Sequence, residues 1–101
     1  MSDDFIQHQR EDARLVMLRA LSAQPDDMLN ETMLFEFLKS FGYRKDRNFV
    51  RAELDMMAEL GAVKLHKAGE FYVAEITERG ARHVAREVTI PGIRRPSRAA
   101  V

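Results

Sequence analysis

The stretch from Arg44 to Val63 combines a helix start, a helical pattern of apolar residues and a glycine stop. Asp46 is a suitable N-cap, because its carboxylate can accept hydrogen bonds from the free amides of the first turn. Gly61 supplies the matching C-terminal stop. The apolar residues between them recur at helical spacing: Phe49, Val50, Leu54, Met57 and Leu60. We therefore predict a helix over 46–60 with one side against a core.

The exposed side of this helix is basic in its first half and acidic in its second half. Residues 39–51 hold five Lys or Arg against one Asp, although the net charge of the chain is zero. The second half of the helix carries Asp55 and Glu59 on the same side. We therefore expect an anionic partner to meet the N-terminal half of the helix.

Length and composition restrict the class of protein. A chain of 101 residues has room for one core, and the absence of cysteine excludes disulfides and thiolate chemistry. No apolar run approaches the roughly 20 residues of a membrane span, and the start MSDDFIQHQR is too polar for a secretion signal. We expect a cytoplasmic protein without a membrane segment.

Other capping residues and turns divide the rest of the chain. Ser2 can start a first helix that ends near Ala23, and Asn30 can start a second helix that ends at Gly42. A short strand at 28–29 precedes the second helix. Two alternating runs, 62–66 and 70–77, predict a β-hairpin after Gly61.

A final helix is predicted from Thr77 to Val88. Its expected inward residues are Ala81, Val84, Ala85 and Val88. Gly80 in its first turn indicates a close approach between helix and strand. We predict one domain over 1–88 and a flexible basic tail over 89–101.

The order of these elements resembles a winged helix-turn-helix domain, so the expected fold class is mainly α with a small antiparallel β-hairpin. The run from Asp46 to Val63 resembles the recognition helix of GntR-type repressors, and ITERGARHVA resembles the segment after the wing in MarR and PadR regulators. The whole chain also resembles small winged-helix proteins of Mu-like phages and prophages. These resemblances imply a DNA-binding regulator in which Arg47 and Arg51 contact DNA and the wing lysines approach its backbone.

The predicted partner is double-stranded DNA, read in the major groove by helix 46–60, because an arginine fork can bond guanine O6 and N7 together. The candidate DNA-binding residues are Arg44, Lys45, Arg47, Asn48, Arg51, Lys64, Lys67, Arg94 and Arg95. The alternative function is a protein-contact module in phage assembly, DNA packaging or host-factor binding. The zero net charge and the acidic second half of the helix favour that alternative.

The sequence leaves two alternatives open for each of four features. Arg47 and Arg51 either contact DNA or pair with Asp55 or another acid. Glu53, on the inward side of its helix, either pairs with Arg14 or Arg19 or reaches water. The first two turns of the first helix either project to form a homodimer or fold back on the domain, and Phe35 is either a subunit contact or lies beneath the wing or the first helix.

No catalytic constellation is present in the sequence, so we expect neither an enzyme nor a cofactor. His8, His66 and His83 are far apart in the chain and form no ligand pair, so no metal site is expected. A single core also leaves no separate domain for a small-molecule ligand.

Overall fold

Four helices and a small three-stranded antiparallel sheet form the fold of residues 2–98, which are the residues described by the computed structural model. The elements are α1 (Asp3–Ser22), β1 (Met28–Asn30), α2 (Glu31–Ser40), α3 (Arg47–Glu59), β2 (Val63–Ala68), β3 (Phe71–Ile76) and α4 (Glu78–Val84). Strand β3 lies in the centre of the sheet, between β1 and β2. The predicted order of helices and strands is confirmed.

Side-chain caps begin all four helices at the predicted positions. The N-cap residues are Ser2, Asn30, Asp46 and Thr77. Each side-chain oxygen accepts a hydrogen bond from the amide three residues later, at 2.8–3.3 Å. Each cap therefore satisfies one of the amides that a helix start leaves without a partner.

Glycines end α2 and α3 as predicted. Gly42 and Gly61 have φ values of +88° and +79°, which place both in the left-handed region. The amides of the following residues, Tyr43 and Ala62, then bond back to carbonyls five residues earlier. This arrangement satisfies the last carbonyls and turns the chain sharply.

Helix α4 is shorter than predicted, because the chain reverses at Arg86. Arg86 has a φ of +65°, and the amide of Glu87 donates to the carbonyl of Arg82 at 2.8 Å, which closes the helix without a glycine. The prediction of a helix to Val88 was wrong, as was the prediction that Ala81 and Ala85 face inward, since both are exposed.

The core surrounds the second half of α1, where almost every residue from 13 to 21 is buried. The first two turns of α1 bury nothing: Phe5 and Ile6 are 48% and 47% exposed. These turns therefore do not fold back on the domain, and they extend beyond it.

Glu53 lies inside the protein between two arginines of α1. Its side chain is 2% exposed, and its two oxygens bond Arg14 Nε at 2.6 Å and Arg10 Nε at 3.0 Å. Arg14 is itself 3% exposed and also donates to the carbonyl of Gly92 at 2.6 Å. The predicted pairing with Arg14 is confirmed, whereas Arg19 does not take part and Arg10 was not foreseen.

The C-terminal segment packs on the core, so the prediction of a flexible tail was wrong for 89–98; residues 99–101 lie outside the described residues. Ile90 is fully buried and Ile93 is 4% exposed. The buried ring of His83 holds the segment, because Nδ1 accepts from the amide of Ile90 at 3.0 Å and Nε2 donates to the carbonyl of Arg94 at 2.9 Å. Apolar burial and these two hydrogen bonds offset the loss of chain entropy.

Asp12 of α1 joins the link between α2 and α3 to the C-terminal segment. Its carboxylate accepts a short hydrogen bond from the Tyr43 hydroxyl and pairs with Arg94 at 2.8 Å. Burial and the bond to Asp12 raise the pKa of Tyr43 above its ordinary value. The position of α3 thus depends on α1 through its preceding link as well as through Glu53.

Gly80 brings α4 against the base of the β2–β3 hairpin. A Cβ at this position would lie 2.3 Å from the carbonyl oxygen of Ala62, so only glycine allows the contact. The hydroxyl of Thr77 also donates at this base, toward the carbonyls of Gly61 and Ala62 at 2.7 and 3.0 Å. The close approach predicted for Gly80 is confirmed.

Replacement of Glu53 tests the buried ion pair. We expect Glu53→Gln to lower the free energy of unfolding by about 3 kcal/mol, because Arg14 keeps its charge without a carboxylate. Urea denaturation measures the change. Glu36→Gln is the control, since Glu36 pairs with Lys39 at the surface and should change stability by less than about 0.5 kcal/mol. Equal effects of the two substitutions would contradict the assignment.

Candidate functional site

An open groove separates the N-terminal half of α3 from the turn of the β2–β3 hairpin. Its lining residues are Glu31, Arg47, Asn48, Arg51, Lys67, Gly69, Glu70 and Phe71. Four of the predicted site residues, Arg47, Asn48, Arg51 and Lys67, therefore meet in one place. The predicted basic helix and the hairpin turn form the two sides of the groove.

Glu31 joins the two sides of this groove. It is the first residue of α2 and is 3% exposed. Its Oε1 accepts from the amide of Tyr72 at 2.6 Å and from Arg51 Nε at 3.1 Å, and Oε2 lies 4.0 Å from Arg47. Sequence reasoning missed this residue, although an acid in the first turn of a helix is favoured by the helix dipole.

Arg51 is held on three sides. Its Nε bonds Glu31, a terminal nitrogen donates to the carbonyl of Glu70, and its guanidinium lies 4.7 Å from the centre of the Tyr72 ring. Of the two alternatives for Arg51, pairing with an acid is observed, and the acid is Glu31 rather than Asp55. Asp55 instead lies near the Tyr72 hydroxyl, where its carboxylate raises the pKa of Tyr72.

The Arg47 side chain is held less firmly than that of Arg51. Its side chain is 44% exposed, and its only ion pair within residues 2–98 is the 4.0 Å approach to Glu31. Its guanidinium lies 5.8 Å from the ring of Phe35 and 5.6 Å from that of Phe71. Phe35 is half-buried against the core and beneath this guanidinium, which agrees with the interpretation of Phe35 as part of the domain.

Four other predicted cations are exposed around the groove and the hairpin. They are Arg44, Lys45, Lys64 and Lys67, and none of them forms an ion pair within the described part of the chain. Arg44 and Lys45 precede α3, and Lys67 lies on the hairpin side of the groove. Lys64 stands apart, beside Glu75 and Glu78 at the other end of the hairpin.

The two predicted DNA-binding arginines of the C-terminal segment lie elsewhere. Arg94 pairs with Asp12 at 2.8 Å, and its amide donates to the carbonyl of Glu11 at 3.2 Å. Arg95 is exposed on the same packed segment. The structure therefore places Arg94 against α1 and does not bring it into the groove, because the segment that carries it is anchored by Ile90 and His83.

Residues 2–98 contain neither a metal-binding cluster nor a membrane-spanning helix. No group of three or more His, Asp or Glu residues there is arranged to hold a metal ion. No helix there has the length and apolarity needed to cross a bilayer.

A comparison with known proteins gives one family. A protein of Escherichia phage Mu named "Uncharacterized protein gp26" is 34% identical to this chain over 86 residues, which are 85% of this chain and 88% of the Mu protein. The chain belongs to the gp26 family. This match confirms the predicted resemblance to small proteins of Mu-like phages. No protein-family model and no solved structure matches the chain, so the resemblance to GntR and MarR regulators stays a prediction.

Replacement of Glu31 tests whether this residue joins the two sides of the groove. We expect Glu31→Gln to lower the free energy of unfolding by about 1 to 3 kcal/mol, because the buried carboxylate that accepts from both Arg51 and the Tyr72 amide loses its charge. Urea denaturation measures the loss, and amide hydrogen exchange should show weaker protection of Tyr72.

Glu70→Gln is the matched control for Glu31. The Glu70 side chain is exposed, and only its backbone carbonyl contacts Arg51, so stability should change by less than about 0.5 kcal/mol. Unchanged Tyr72 exchange in Glu31→Gln would contradict the role given to Glu31.

Proposed function

We propose that the protein is a winged helix-turn-helix DNA-binding protein without enzymatic activity, and a small phage transcription regulator. In this proposal α2 and α3 are the helix-turn-helix, the β2–β3 hairpin is the wing, and α3 enters the major groove of double-stranded DNA. The order of elements supports the fold assignment, as does the pairing of the short β1 with β3 of the hairpin.

The observation that carries the proposal is a set of exposed cations without acidic partners in the described residues, one on the hairpin side of the groove and two just before α3. Arg44 and Lys45 before α3 and Lys67 on the hairpin are free to contact phosphates, and Asn48 is exposed between them. Arg47 is the arginine available for a base edge, since Arg51 is bound within the protein. Because the net charge is zero, binding depends on these few cations and not on a general positive field.

A two-fold dimer is part of the proposal. Phe5 and Ile6 lie side by side on the projecting turns of α1 and are each about half exposed. A second copy that packs on these turns would bury both side chains and present two α3 helices to one near-palindromic site.

A second candidate function is protein contact in phage assembly or DNA packaging. Two large apolar side chains of the α2 region favour it, since Met33 is 52% exposed and Phe41 is 58% exposed outside the groove. The groove itself also contains Glu31 and Glu70. This candidate requires a protein partner and no affinity for DNA.

DNA binding is tested by selection from a random duplex library, followed by anisotropy titrations over a salt range. We expect Arg47→Ala to weaken the selected complex by roughly 5- to 150-fold, the value of one good base contact. Lys45→Ala should reduce the salt slope by about one. Arg82→Ala is the control, because Arg82 pairs with Glu87 on α4. Absence of binding at low salt would exclude the DNA-binding function and leave the second candidate.

The dimer is tested by sedimentation equilibrium across the micromolar range. We expect a dimer for the unsubstituted chain and a monomer for the double substitution Phe5→Ser and Ile6→Ser, because burial of these side chains supplies the association energy. The double variant should remain folded, since both residues lie outside the core. A monomeric unsubstituted chain would exclude the dimer.

A further inference from the structure

Phe71 presents an aromatic ring to solvent at the turn of the β2–β3 hairpin. It is the first residue of β3 and is paired with Ala68 across the last rung before the turn. Its side chain is 49% exposed. A single exposed aromatic residue has no special meaning, so the surroundings of this ring decide its interpretation.

The surroundings of Phe71 are polar and include both cations and the acids Glu31 and Glu70. Arg47 and Asn48 of α3 lie on the opposite side of the groove, and Lys67 lies on the same hairpin. The guanidinium of Arg47 is 5.6 Å from the centre of the Phe71 ring, which is within the range of a cation–π contact. The ring is therefore held next to a cation and retains about half of its side-chain surface for another contact.

The local charges limit how much affinity phosphate contacts can supply. Glu31 lies 4.0 Å from Arg47 and bonds Arg51, so the exposed cations without an acidic partner in the described residues are Lys67 at the groove and Arg44 and Lys45 just before α3. Three or so phosphate contacts give weak binding at physiological salt. A ring that stacks on a base adds affinity without adding charge, and it accepts any base because each has a π-face.

We propose that Phe71 stacks on an unpaired nucleobase, with Arg47 and Asn48 near the edge of that base and Lys45 and Lys67 near the adjoining phosphates. The inference rests on the proposed DNA-binding function of the groove and adds to it a preference for DNA that exposes a base over a perfect duplex. Such a base occurs in a single strand or at a bulge in a duplex.

Tryptophan fluorescence provides the direct test, because the chain contains no tryptophan. Phe71→Trp places one indole at the ring position, and stacking on a base should quench its emission. Phe41→Trp is the matched control, since Phe41 is 58% exposed but packs on Phe37, with ring centres 5.1 Å apart, outside the groove. The two variants are titrated with a single strand, a perfect duplex and a duplex with one bulged base, all of equal length.

We expect quenching of Phe71→Trp by the single strand and by the bulged duplex, and no quenching of Phe41→Trp. Anisotropy should show that Phe71→Leu, which keeps an apolar side chain but has no π-face, weakens binding to these two ligands by roughly 5- to 150-fold. Circular dichroism checks that each variant is folded. Comparison of the single strand with the bulged duplex shows which of these two ligands supplies the unpaired base.

Two other outcomes would overturn the inference, and they differ in their meaning for the proposed function. If the perfect duplex binds in an Arg47-dependent manner while Phe71→Leu binds all three ligands as the unsubstituted chain does, base stacking is excluded and DNA binding stands. If none of the three ligands binds at low salt, both proposals are excluded.

Discussion

The buried carboxylate of Glu53 fixes the relation between α1 and α3, on which the other parts of the structure depend. A carboxylate at 2% exposure is unfavourable unless both oxygens are bonded, and Arg14 and Arg10 meet this requirement. Arg14 then uses a second nitrogen to hold the carbonyl of Gly92. One charge cluster thus joins the first helix, the third helix and the C-terminal segment.

The direction of Glu53 also determines what α3 presents to solvent. Residues advance by about 100° per position around a helix, so Arg51 and Arg47, two and six residues earlier, lie on the opposite side. There the second buried carboxylate, Glu31, receives them. The two carboxylates hold α3 from opposite sides, and the three contacts of Arg51 leave Arg47 as the less constrained of the two arginines.

Local signals in the sequence predicted most of the elements. Caps such as Asp46 and stops such as Gly61 act within one helical turn, so neighbouring residues are enough to identify them. The inward position of Glu53 also followed from helical spacing, and Arg14 was one of two candidate partners. The exposed positions of Arg44, Lys45 and Lys67 required no knowledge of the fold.

The features that escaped prediction depend on contacts between distant residues. Glu31 reaches Arg51 and Tyr72 only because β1 pairs with β3, which brings residue 30 opposite residue 73. His83 and Ile90 are local in sequence, but the reversal at Arg86 that joins them lacks the usual glycine. Polar and proline-rich composition suggested a flexible tail, whereas two isoleucines and one histidine anchor it.

The close packing of Gly80 on Ala62, together with the hydroxyl of Thr77, holds the base of the hairpin against α4. The contacts with α4 therefore hold the end of the hairpin that is opposite the turn lining the groove. In the proposed complex, DNA would meet a hairpin whose base is held by α4 and would adapt its own shape to the groove. Selectivity at this surface would then arise from the deformability of the partner as well as from its chemical groups.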